Sequence, residues 1–307
     1  MSWYSSLGPN ARGILLMLCA IFIFTVMDAL AKSLIVTYGP VQVVWARYAG
    51  QAAIILVLLA PRLPRLLQTN HLGLHGMRSV FQVGATALFF ASLPHIGLAE
   101  ATAIMDINPV LITLAAALFL GERIGPRRLF GVLAAMVGAL IIIQPGSGVF
   151  SPAALLPLAG AICYTGHAIT TRMLGTGESI WTALLYTALI GTVLTTAALP
   201  LGWTTPALAD LPGLLAIGGI GAAGQLCLIR AFSSAEAGVV APFAYVGLLF
   251  ATLWGVLLFD EYPDFWTGVG ALVIVAAGLY VWHRETRGTR QGGAEPVADR
   301  MGADGKG

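Results

Sequence analysis

The chain has 307 residues, of which 58% are hydrophobic and only 10% charged, with 16 Lys and Arg against 14 Asp and Glu. Soluble domains run at about 45–50% apolar and about 25% charged, so a mean hydropathy of +0.85 makes the bilayer the solvent for most of the chain. The near-neutral balance and the dispersed arginines exclude a nucleic-acid binder.

A transmembrane helix needs about 20 mostly apolar residues. Ten such runs are expected, near 13–32, 42–60, 74–94, 98–120, 128–143, 153–172, 179–200, 211–232, 236–259 and 264–283. Turn formers separate them: Gly39-Pro40, Pro61-Arg62-Leu63-Pro64, Gly125-Pro126, Gln144-Pro145-Gly146-Ser147-Gly148, Pro206 and Pro263. The first run carries Asp28 and Lys32 and leads into another span, so it reads as a retained helix and not as a cleaved signal. Beyond Arg284 the chain is polar and Gly-rich, and 284–307 is expected to be a disordered tail.

Cations set the orientation, because short cytoplasmic loops collect Lys and Arg. With the N-terminus inside, Arg12, Arg62, Arg65, Arg78, Arg123, Arg127, Arg128, Arg172, Arg230, Arg284, Arg287, Arg290, Arg300 and Lys306 share one side, 14 of the 16. Lys32 falls on the other side and Arg47 lies within a span. Both termini are therefore expected in the cytoplasm, which an even span count requires.

The chain repeats itself. Gly121-Glu122 followed by Gly131–Ala139 recurs as Asp260-Glu261 followed by Gly270–Gly278, an offset of 139. Phe24-Thr25 and Lys32 meet Tyr164-Thr165 and Arg172 at an offset of 140. Two five-helix units, 13–143 and 153–283, follow. Five is odd, so the second enters the membrane inverted, the ground plan of many secondary transporters. The expected fold is thus all-α and polytopic, with ten spans as two inverted repeats.

The residues also carry a resemblance. Ala99-Glu100-Ala101-Thr102-Ala103-Ile104, Pro109 and Leu118-Phe119-Leu120-Gly121-Glu122-Arg123 in the first unit resemble an EamA-type half of the drug/metabolite transporter superfamily. Ala237-Gly238-Val239-Val240-Ala241-Pro242-Phe243 and Phe259-Asp260-Glu261-Tyr262-Pro263-Asp264 match in the second. The resemblance implies a central cavity built mainly from spans 1–4 and 6–9, worked by alternating access. Met27–Lys32 and Trp45-Ala46-Arg47-Tyr48 resemble bacterial importers of riboflavin or S-adenosylmethionine most closely. Ala244, Gly247 and Asp106 depart from that pattern: relatives often carry polar residues at the first two and an uncharged one at the third.

Charges inside a bilayer face the bundle interior or a water-filled cavity. Asp28, Arg47 and Asp106 lie well inside spans, and Lys32 lies near an end, from which it can snorkel. Asp28 and Lys32 are four apart, so either they pair with each other or they meet substrate. Arg47, with Trp45, Tyr48 and Gln51 near it, suits a carboxylate or a planar ring, or else pairs with Asp28 or Asp106. Asp106-Ile107-Asn108-Pro109 should kink the fourth span, and Pro242 interrupts the ninth. Matching interruptions point to a binding site and hinges, or serve packing alone. His167, Gln225 and Tyr245 complete the candidate substrate set of Asp28, Lys32, Trp45, Arg47, Tyr48, Asp106 and Asn108. His167 is either a hydrogen-bonded core residue or a relay, and Asp28 or Asp106 is the better candidate for proton coupling.

Other classes fit poorly. Gly219-Ile220-Gly221-Ala222-Ala223-Gly224 has the Gly-x-Gly-x-x-Gly spacing but lies inside a span, with no preceding strand, and reads as a close-packing face. No nucleophile, P-loop or metal motif occurs, so no enzyme, metal or cofactor is expected. Cys19, Cys163 and Cys227 lack ligand or redox spacing and read as small core residues. A channel would more often build its pore by symmetry about an axis. Gly131, Gly138, Gly270 and Gly278 let spans 5 and 10 pack closely as structural helices or as a dimer face, so the chain is a monomer or a homodimer. The expected partners are the lipid bilayer, a small organic solute and, for coupling, protons. The expected location is a bacterial inner membrane.

Overall fold

A computed structural model describes residues 8–120, 126–144, 151–174, 178–235 and 241–292. Every regular element among them is helical. α1 runs Pro9–Leu58 and α2 is the short Leu63–Leu66; α3 is Leu72–Ser92, α4 Leu98–Met105, α5 Asn108–Leu120 and α6 Pro126–Ile143. α7 spans Leu155–Leu174, α8 Ile180–Ala198, α9 Leu211–Ser234, α10 Val246–Phe259 and α11 Phe265–Gly292. Five segments are long and apolar enough to cross a membrane: Pro9–Leu58, Leu98–Ala116, Pro152–Leu174, Ile180–Ala198 and Leu211–Ala231. The chain is a multi-pass membrane protein.

The two runs expected at 13–32 and 42–60 form one element, α1, broken at Gly39, whose φ of 70° and ψ of 161° are open to a residue without a Cβ. Pro40 follows and cannot donate a backbone hydrogen bond. The arms fold back on each other, as their contacts with α9 show. Asp210 meets Tyr38, Gly218 abuts Gly50, and Leu226 shares a cavity wall with Leu58, so the second arm runs parallel to α9. Gly213 faces Leu30 and Leu34 while Gly224 faces Phe24, so the first arm runs the other way. The Gly-x-Gly-x-x-Gly stretch is where α9 lies against both arms.

Pro109 acts as its chemistry dictates. The proline ring clashes with the carbonyl four residues back, and α4 ends at Met105, four before Pro109; α5 resumes at Asn108. In the second unit the segment Ala241–Tyr245 is a 3-10 turn that leads into α10.

α9 packs most extensively on α1, α3 on α7, and α6 on α11. Gly138 and Gly270 face one another across the last pair, where a Cβ on Gly270 would lie 2.6 Å from the Gly138 carbonyl oxygen. Gly138 and Gly270 therefore serve packing within the chain.

Three expectations change. Arg78 was placed among loop cations, yet it lies inside α3 and is 6% exposed, because the helix starts at Leu72 and brings position 78 into the second turn. Cys19 faces outward from α1 instead of joining a core; in a bilayer both faces of a helix are apolar, so composition does not separate them. The last helix continues to Gly292, past the expected boundary at 283. Gly121, Glu122, Arg123, the stretch 145–150, Ala237–Val240 and residues 293–307 lie outside the described residues, as do the side chains of Arg127, Arg128 and Pro242.

Candidate functional site

Arg47 lies on the second arm of α1. Its Nη1 donates to Thr86 Oγ1 at 3.1 Å, and its guanidinium carbon lies 5.5 Å from the Tyr48 ring centroid and 5.8 Å from that of Phe90. Nε is buried without a hydrogen bond to the described residues. Gly221 of α9 makes this room, since a Cβ there would meet Met27 Sδ at 3.2 Å and Arg47 Nε at 3.7 Å. Gln225 follows Gly221 by four residues and so shares that face of α9. Asp28, on the opposite arm, is the carboxylate whose charge Arg47 feels, with no direct ion pair between them among the described residues. Tyr48 is 1% exposed and its hydroxyl lies 2.9 Å from Thr86 Oγ1, where either oxygen can donate, and donates to the Gln82 carbonyl at 3.2 Å. A planar cation between aromatic faces, held by hydroxyls with a carboxylate nearby, can stack on a ring or grip an anionic group.

A second cluster forms where α4 breaks. Asp106 Oδ2, Asn108 Oδ1 and the Tyr245 hydroxyl are each buried without a hydrogen-bond partner among the described residues. Asp106 and Tyr245 are 139 positions apart, the repeat offset, and are electrostatic neighbours. A buried polar atom left unpaired costs about 1–3 kcal/mol; the Tyr245 hydroxyl lies where a Cβ on Gly278 would fall, so this glycine makes its room.

The remaining expected residues lie elsewhere. Lys32 does not pair with Asp28. It meets Glu261 at 2.5 Å, donates to the Ile96 carbonyl at 2.9 Å and lies 5.4 Å from the Phe259 ring. Helix spacing allows the Asp28–Lys32 pair, but the loop after α10 brings Glu261 over the end of the first arm, and Glu261 Oε2 also accepts the Leu98 amide at 3.0 Å. Trp45, two residues from Arg47, points away from it: Nε1 donates to Thr196 at 2.9 Å and its ring packs edge-on against Trp203. His167 Nδ1 is 3.2 Å from the Arg78 carbonyl, within hydrogen-bond reach.

Sequence reasoning missed Glu261, Thr86, Phe90 and Arg78 as interior partners. The signal for two of them was present: Arg78, Gln82 and Thr86 recur every four residues and share one face of α3. Among the described residues, one cavity of about 360 Å³ lies beside Ala29, Ser33 and Trp254 and another of about 150 Å³ beside Gln51, Trp181 and Leu226. Both are largely apolar, and neither is lined by Asp28, Arg47 or Asp106.

Comparison with known proteins follows from this geometry. The EamA-like transporter family matches residues 11–144 and 151–282. The chain is 34% identical over 271 residues to the pseudopaline exporter CntI of Pseudomonas aeruginosa, covering 86% of this chain and 94% of that protein. It is 30% identical over 252 residues to the riboflavin transporter of Brucella anthropi (78% and 88% covered). It is 25% identical over 260 residues to the S-adenosylmethionine uptake transporter of Rickettsia bellii (85% and 89% covered). A solved crystal structure aligns with a TM-score of 0.61 at 20% identity, over 88% of this chain and 96% of that one, a likeness of fold. With two copies of the family's domain filling its apolar length, this chain belongs to the EamA-like transporter family and is a transporter, not an enzyme.

Proposed function

We propose that the protein is a secondary transporter of a bacterial inner membrane, moving a small organic metabolite by alternating access. Ten spans in two inverted five-helix repeats, 13–143 and 153–283, with both termini cytoplasmic, are the arrangement in which it does so. The cargo is planar or zwitterionic, of the kind represented by riboflavin or S-adenosylmethionine. The observation that carries this reading is Arg47, set between the Tyr48 and Phe90 rings with the Asp28 charge across from it. One charge of each sign beside flat apolar faces suits a zwitterion or a ring system better than a strongly anionic sugar phosphate, which would want several uncompensated cations. Asp106, Asn108 and Tyr245 supply further polar contacts at the interrupted spans, Gln225 lies one turn along α9 from Gly221, which abuts Arg47, and Pro109 and Pro242 mark the hinges. Asp28 or Asp106 carries the proton if transport is proton-coupled; unchanged pH dependence of transport in both D28N and D106N would remove that assignment.

A second reading is export of amino acids or related metabolites, favoured by the 34% identity to a protein named as an exporter. Thermal stability of the purified chain across a metabolite panel separates the two. A ligand at one hundred times its dissociation constant stabilises the folded state by about 2.7 kcal/mol. Riboflavin or S-adenosylmethionine should raise the melting temperature, and Arg47→Ala should abolish the rise. Silence from both, with a rise from free amino acids, would replace the first reading with the second.

A further inference from the structure

We infer that Arg78 is a substrate-binding residue that holds a carboxylate of the transported solute, an assignment that rests on the chain being a solute carrier and names the chemistry of one part of its cargo. Arg78 is a buried cation without an anion. Its Nε donates to Thr171 Oγ1 at 2.7 Å, and its Nη1 donates to Thr187 Oγ1 at 2.7 Å and to the Ala183 carbonyl at 3.0 Å. All three acceptors are neutral. No carboxylate lies within 4 Å of it among the described residues, and its titratable neighbours are the phenols of Tyr164 and Tyr48 and the imidazoles of His75 and His167. The other buried cations differ: Lys32 has Glu261, and Arg47 has Asp28 across the hairpin.

Ionisable side chains at membrane depth are expensive and normally pair with one another or line a solute path. Three neutral dipoles fix the plane of the Arg78 guanidinium without neutralising it. They use the hydrogens of Nε and Nη1 and leave Nη2 with no hydrogen bond to the described residues. What remains is a pre-oriented, charged N–H edge, the donor that a carboxylate accepts end-on in a charge-assisted bond. The edge lies on the face of α3 that carries Gln82 and Thr86, and Thr86 is the residue that Arg47 grips. That stripe joins the two guanidiniums over eight residues, about 12 Å of helix. A solute with a carboxylate at one end and a ring or ammonium at the other spans such a stripe. A purely structural arginine, tying α3 to α7 and α8, would need the same three acceptors but would not respond to an anion.

The test uses the full-length chain in detergent and a small probe. Sodium succinate is titrated against sodium chloride at equal ionic strength while the melting temperature is followed, with neutral succinamide as the isosteric control. Wild type should show a saturable rise with succinate and none with succinamide. Arg78→Gln should lose the rise, and Arg78→Lys should keep it with about tenfold weaker affinity, the loss of one charge-assisted bond. A wild type that responds no more to succinate than to chloride would overturn the assignment, as would an Arg78→Gln response equal to wild type. If the glutamine variant does not fold, the lysine variant decides, an unchanged affinity counting against. A succinate response without any response to riboflavin, S-adenosylmethionine or amino acids would retain Arg78 as an anion site and reject those solutes as the cargo.

Discussion

Glu178 lies between α7 and α8 and ties them to the segment before α3. It accepts the Thr69 hydroxyl at 2.6 Å, and His75 Nε2 lies 3.6 Å from its other oxygen. The Thr69 hydrogen bond holds the carboxyl below its ordinary value of 4.5. A depressed folded-state value means the unfolded chain binds the proton more readily, so the stabilisation is complete above about pH 4.5 and fades as pH falls through the lower folded value. Wild type should therefore melt above Glu178→Gln at pH 7, with the gap closing below pH 4.5; a gap that stays constant down to pH 3 would count against the tie. Residue by residue, the sequence was a good guide to which side chains sit inside the bundle and a poor guide to their partners. Asp28, Arg47 and Asp106 were legible because a charge in an apolar run has few places to go. The Lys32–Glu261 pair was not, since the two are 229 positions apart and helix spacing offered Asp28 first.

Close helix contacts rest on particular glycines. Gly270 of α11 abuts the Gly138 backbone, while a Cβ on Gly268, one turn-half away, would meet nothing within 4 Å. Alanine is the better helix former by about 1 kcal/mol, so Gly268→Ala should be neutral or slightly stabilising. Gly270→Ala should cost about 1–3 kcal/mol from overpacking. Melting temperatures of the two variants check this, and equal behaviour would mean that α6 and α11 do not depend on the close approach. The interruption of the fourth span was legible for the same kind of reason, since a proline cannot continue the ladder. The joining of the first two runs into one element was not. Gly39-Pro40 reads as a loop in any sequence, and only the backbone angles show that helix resumes immediately.

Across the whole molecule, ties between the two repeat units gather at opposite ends of the bundle. At the Gly39 end these are Lys32–Glu261, Tyr38–Asp210 at 2.6 Å, and Gln42, which both donates to and accepts from the Thr204 backbone. At the other end are Thr69–Glu178 and Tyr186 donating to the Leu67 carbonyl. A carrier must release one set to open. Removing one partner of a buried ion pair costs about 3–5 kcal/mol, and less where, as for Glu261 with 31% of its side chain exposed, water reaches the charge. In a chain with Cys19, Cys163 and Cys227 replaced by alanine and cysteine placed at the buried Gln42, Glu261→Gln should speed labelling by a membrane-impermeant maleimide several-fold. The double exchange Lys32→Glu with Glu261→Lys should slow it again. Labelling that is indifferent to both changes would mean that this pair does not hold the end shut.

The hairpin of α1 turns on one residue and has no slack. Two arms joined by a flexible loop can slide past each other and absorb a neighbour's motion, whereas two arms joined at Gly39 can only pivot. Asp28 and Arg47 stand on opposite arms, so any swing of the first arm that follows Lys32 as it leaves Glu261 changes the spacing of the two charges in the same stroke. In a carrier that opens at the Gly39 end, such a joint would act as a crank that couples the opening to the spacing of Asp28 and Arg47, and a residue or two inserted between Gly39 and Pro40 should uncouple them.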